Sequence, residues 1–214
     1  MAGLIYEVAE FNTIITMLGC LCATVQAATG TYAAYIKKRI SLLKTNDRLF
    51  RAHRAFGGFA TTLYFLGLFA GIVGFTGGIF FGIPPFEITE LSYNFHVWPS
   101  FVIVVIIVSK TYLSYFKKPL VYKYKWLGPA VFFAWSYNWI SSAFSYYLRT
   151  IEPNKQHLPP TYLLPFELFW LQILIPFLVG GLISLFILMS MGNKYQGQTE
   201  PTATRYYESF SKGS

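Results

Sequence analysis

Charge is what this chain of 214 residues most lacks. Only 12% of its residues are Asp, Glu, Lys or Arg, against about 25% in an ordinary soluble domain. Hydrophobic residues make up 54% and aromatics 20%, and mean hydropathy is positive. A water-soluble fold could not hide this much apolar surface, so the composition points to an integral membrane protein. Acids are scarcest, nine against seventeen bases. Glu167 stands near the end of an apolar run rather than in its middle. A transporter or proton pump needs ionisable groups at mid-membrane, so that class is disfavoured.

Cysteine and histidine are nearly missing too. Cys20 and Cys22 lie two apart in one apolar run; on a helix they face apart, cannot pair, and read as small packing residues. There is no CxxC, no Walker sequence, no nucleotide-binding glycine fingerprint and no Glu-x-x-His pair for a di-iron bundle. Histidine is confined to His53, His96 and His157, and no acid lies beside any of them inside an apolar run, which leaves no Ser/His/acid set. A cleavable leader is not expected either, because residues 1–10 carry two acids and no base.

What is present is apolar length. Runs over residues 11–36, 55–81, 96–116, 126–148 and 163–191 each reach the roughly 20 residues that cross a bilayer as a helix. They are too long for barrel strands of about ten alternating residues. The fold class expected is all-α integral membrane, with one helical-bundle domain over residues 1–191 and a polar, flexible cytoplasmic tail over 192–214. The net charge of +8 gathers in two loops. One holds Lys37, Lys38, Arg39, Lys44, Arg48, Arg51 and Arg54; the other holds Lys110, Lys117, Lys118, Lys123 and Lys125. The positive-inside rule accounts for them without a nucleic-acid partner and places the N-terminus outside and the C-terminus inside.

Proline and glycine punctuate the runs. Gly82-Ile83-Pro84-Pro85 ends the second, Pro165 falls in the first turn of the fifth, and Pro176 sits mid-helix, where a kink is expected. Gly67 and Gly71, like Gly74 and Gly78, are four apart. That spacing suits close helix packing, or clears space for a flat ligand. Trp135, Tyr137, Asn138 and Trp139, followed by Ser141, Ser142 and Ser145, should turn inward, because a buried polar tip needs a partner.

Two motifs carry chemistry. Arg51-Ala52-His53-Arg54-Ala55-Phe56-Gly57 opens the second run, and Phe95-His96-Val97-Trp98-Pro99 opens the third. Gly57 stands one turn after His53 on the same helix face. This pair of helix openings resembles the cytochrome b561 superfamily over roughly residues 12–147. The resemblance implies a four-helix core and transmembrane electron transfer through b-type haem. His53 would be the axial ligand near the inner face and His96 the one near the outer face. Arg51, Arg54 and Lys44 would neutralise haem propionates or anionic lipid head groups, and a quinone would be a partner.

The chain departs from the family pattern at the partner positions. Lys125-Trp126-Leu127-Gly128 and Glu10-Phe11-Asn12-Thr13 hold no imidazole. His53 and His96 should lie about a bilayer thickness of 30 Å apart, so they cannot share one haem. His157 is a weaker substitute ligand beside His96, and Met17 and Tyr124 are the other candidates; one histidine per haem is chemically permitted. Two functions therefore stand open. One is a membrane electron-transfer protein with reduced haem content. The other is a haem-less structural subunit of a larger membrane complex, held by lipid and by other membrane subunits.

Overall fold

The computed structural model describes residues 2–36, 47–81, 91–117, 120, 124, 126–151 and 163–190. Five long helices account for nearly all of them: α1 (Ala2–Thr31), α2 (Asp47–Phe81), α3 (Leu91–Phe116), α4 (Leu127–Ile151) and α5 (Phe169–Met189). A π-helical turn, Tyr32–Ile36, extends α1, and a 3₁₀ turn, Phe166–Leu168, precedes α5. No strand occurs among the described residues. Four helices (α1, α2, α3 and α5) are long and apolar enough to cross a membrane, the mark of a multi-pass membrane protein. α4 has comparable length, but its buried Asn138, Ser141, Ser142 and Ser145 lower its apolar character. The tail from residue 192 and the loops holding Lys44 and His157 lie outside the described residues.

α1 is the central post. It packs along α2, α4 and α5, while α3 packs along α4. α2 and α3 follow one another in the chain yet make scarcely any backbone approach. The arrangement is therefore a four-helix ring closed on three sides, with α5 laid outside against α1. The closest backbone approach is at Gly180 of α5, where an added Cβ would stand 2.9 Å from the Leu21 carbonyl oxygen. The indole of Trp135 sits directly on Gly19, leaving no room for even a methyl group. Close packing by small residues thus falls on Gly19 and Gly180. At Gly71 of α2, by contrast, an added Cβ meets nothing within 4 Å.

The helices outrun the apolar runs. α2 begins at Asp47 and α3 at Leu91, so both histidines lie inside their helices rather than at the mouths. Pro99 likewise lies inside α3. Having no N–H, it leaves the Phe95 carbonyl without its helical donor. The Tyr137 hydroxyl supplies one from α4, donating to Phe95 O at 2.7 Å. Pro176 is buried within a continuous α5, and beside it the Trp139 indole N–H donates to Ile173 O at 3.0 Å. At Pro99 a neighbouring helix thus re-satisfies the carbonyl that the proline leaves without its donor. Pro165 does not enter α5; it stands in extended conformation before the 3₁₀ turn.

The cysteines are free and buried and diverge as expected. Cys22 joins a cluster with Ala60, Tyr64, Ile103, Ile107 and Trp135, and Cys20 joins another with Trp139, Tyr147, Phe169 and Ile173.

Candidate functional site

The open side of the ring has three layers, ordered along the helix axes. At the His96 end lies a cavity of about 260 Å³ lined by α1, α2, α3 and α4. Its α2 wall is small and apolar, with Leu63, Gly67, Leu68, Ala70 and Gly71. The α1 and α4 walls are polar: Asn12, Thr13, Thr16, Asn138, Ser142 and Ser145. His96, Ser100 and Phe101 come from α3. Beneath it, Tyr64 donates its hydroxyl to Ser100 O at 3.2 Å and meets the Trp135 ring edge-on, with centroids 5.6 Å apart. Those residues, with Ile103 and Ile107, form an apolar plug in the middle. At the His53 end, a polar bridge ties α1 to both α2 and α3.

The tautomer of each histidine follows from its network. His53 Nδ1 lies 2.9 Å from Thr29 Oγ1. The single Thr29 hydroxyl proton is directed at the carbonyls of Val25 (2.8 Å) and Gln26 (3.0 Å), so Nδ1 carries the proton and donates it to Thr29. His96 Nδ1 lies 3.0 Å from Ser141 Oγ, whose own proton points to Asn138 O at 3.3 Å. In both rings Nδ1 is the nitrogen held by a hydroxyl of a neighbouring helix, the kind of contact that fixes ring orientation in metal-bound histidines.

Their surroundings differ. His96 lines the cavity. His53 is half-buried and lies edge-on against α1, where a Cβ at Gly30 would be 3.3 Å from Cε1. The room beside Gly57 that a macrocycle would need is taken by the Gln26 amide, which lies directly over that glycine. Lys110 donates to Gln26 Oε1 at 2.8 Å and is close enough to His53 for its charge to act on the imidazole. Lys110, grouped with loop bases on sequence, is therefore an inward-facing residue of α3. It stands 14 residues beyond His96 on α3, about 21 Å of helical rise. The two histidines are set apart by roughly that distance and do not meet.

The remaining expected residues are dispersed. Arg51 and Arg54 are exposed, and the Arg54 guanidinium lies over the Phe50 ring at 5.9 Å. Met17 is turned toward α5, where its sulfur accepts from Gln172 Nε2 at 2.9 Å, away from the cavity. Tyr124 and Trp126 are exposed. For a b-type haem the donor set offers one imidazole at the cavity, His96. Among the described residues it offers no second imidazole at the cavity and no cluster of three metal-ligating side chains.

Sequence reasoning missed Lys110, Gln26 and Thr29. The signal was present: Lys110 follows the buried Ile103 and Ile107 at spacings of seven and three, which share a helix face. Comparison with protein-family models, with curated proteins and with solved structures finds no match to this chain.

Proposed function

We propose that the chain is a multi-pass membrane electron-transfer protein, similar in kind to cytochrome b561, that holds a single b-type haem in the cavity at His96. One observation carries this reading: a cavity inside a four-helix ring is lined by one imidazole, His96, whose Nδ1 is held by Ser141 of α4. His96 would occupy one axial position. Gly67 and Gly71 would leave room for a flat macrocycle on the α2 side. The plug of Tyr64 and Trp135 closes the floor, and the amides of Asn12 and Asn138 provide polar contacts on the facing walls. When bound, haem would supply one-electron oxidation and reduction; His96 and the cavity walls around it would hold it inside the bundle. In this reading α4 crosses the membrane with the other four helices, the basic His53 end faces the cytoplasm, and a membrane quinone is a donor or acceptor.

The test is the reduced-minus-oxidised visible spectrum of protein purified from haem-replete cells. A b-type α-band lost in His96→Ala and kept in His53→Ala is expected. The haem-less accessory subunit is a second reading, favoured by the Met17 thioether facing Gln172 instead of the cavity and by the lack of a second imidazole among the residues lining the cavity. A colourless preparation would establish it over the first.

A further inference from the structure

Among the described residues, the bridge at the His53 end contains a charge with no carboxylate beside it. The Lys110 ammonium has three N–H donors, and a neutral amide oxygen, Gln26 Oε1, takes one of them. The neighbouring imidazole gives no negative charge, since its Nδ1–H is already directed at Thr29. The two carboxylates whose surroundings are described, Glu10 and Glu167, belong to the opposite end of the bundle. A cation in a span that lacks a partner acid is costly unless an anion joins it.

Access exists beside it. α2 and α3 do not pack along one another, and an added Cβ at Gly58 of α2 meets nothing within 4 Å. Among the described residues, the α2–α3 side is thus the side of the ring that helix packing leaves unclosed. The surrounding belt is basic, with exposed Arg54 and Lys117. Lys110 lies six residues before the end of α3, about 9 Å of rise, and exposed Tyr112 and Tyr115 follow it as an interfacial belt would. That depth is where lipid phosphates meet the hydrocarbon.

We propose that the gap between α2 and α3 at this end is a site for one anionic phospholipid. Its phosphate accepts from the Lys110 ammonium, and its acyl chains lie along the open side of the ring. Gln26, held over Gly57, positions the ammonium. The site is separate from the cavity at His96 and stands whether or not haem is bound.

The experiment is native mass spectrometry of the full chain in nonionic detergent, titrated with phosphatidylglycerol or phosphatidylcholine. One phosphatidylglycerol retained per chain is expected, with no matching retention of phosphatidylcholine. Loss of a charge-assisted hydrogen bond in Lys110→Met should weaken retention by about tenfold or more, whereas Lys110→Arg should keep it. The wild-type adduct count decides the matter even if Lys110→Met does not fold. Equal retention of both lipids would overturn the proposal, as would undiminished phosphatidylglycerol binding by Lys110→Met. Displacement of phosphatidylglycerol by millimolar inorganic phosphate would assign the site to a free anion instead of a lipid.

Discussion

Single side chains do repair work in this protein, because a helix carbonyl freed by proline inside an apolar bundle needs another donor. The Tyr137 hydroxyl restores the hydrogen bond that Pro99 denies to Phe95. Removing it in Tyr137→Phe should cost about 1–2 kcal/mol, the price of a carbonyl left unsatisfied. Pro99→Ala returns an N–H donor to α3, so the same Tyr137→Phe change should cost clearly less in that background. Thermal melts of the four variants, followed by exposure of the buried Cys20 and Cys22 thiols, give the coupling. Additive losses would show that Tyr137 matters for some other reason. Gly19 is the second sensitive point, since the Trp135 indole occupies the place of its missing side chain. Gly19→Ala should lower stability by about 1–3 kcal/mol through overpacking, with an earlier melt by the same thiol readout.

Among the helices, the glycines of α2 act differently from those of α1 and α5. Gly180 presses on the backbone of α1, whereas Gly71 faces open space in the cavity. Gly71→Leu should therefore fold with stability near wild type while filling the cavity and removing whatever ligand it holds. Gly180→Leu should instead loosen α5 and lower the melting temperature. A ligand signal unchanged in Gly71→Leu would move the site out of this cavity. The apolar runs made the helices legible in the sequence, and the polar tips of Trp139 and Asn138 foretold the inward face of α4. Helix ends were less legible. Backbone hydrogen bonding carries α2 and α3 past the apolar stretch into polar sequence, so His53 and His96, read as opening their helices, lie inside them. The four-residue glycine spacing could not tell packing from vacancy, because both need the same missing side chain.

Taken whole, the molecule is a ring opened on one side and stacked in three layers: a mixed polar cavity, an apolar plug and a charged bridge. The histidines were visible in the sequence, but their unequal roles were not. His53 is committed to Thr29 on α1, and His96 to the cavity. That distinction depends on which helices are neighbours, and on Gln26, Thr29 and Lys110, which no short motif joins. If all five helices cross, the two termini lie on opposite sides of the membrane. Tags at the N- and C-termini, probed by protease in sealed, oriented vesicles, should be cleaved from opposite faces. Cleavage of both from one face would mean that α4 does not span.

The most direct measurement of the central claim is the reduced-minus-oxidised spectrum of the purified protein beside its two histidine variants. One b-type haem per chain is expected, abolished by His96→Ala and preserved by His53→Ala. A colourless wild-type protein, or a haem that survives His96→Ala and disappears in His53→Ala, would contradict the account.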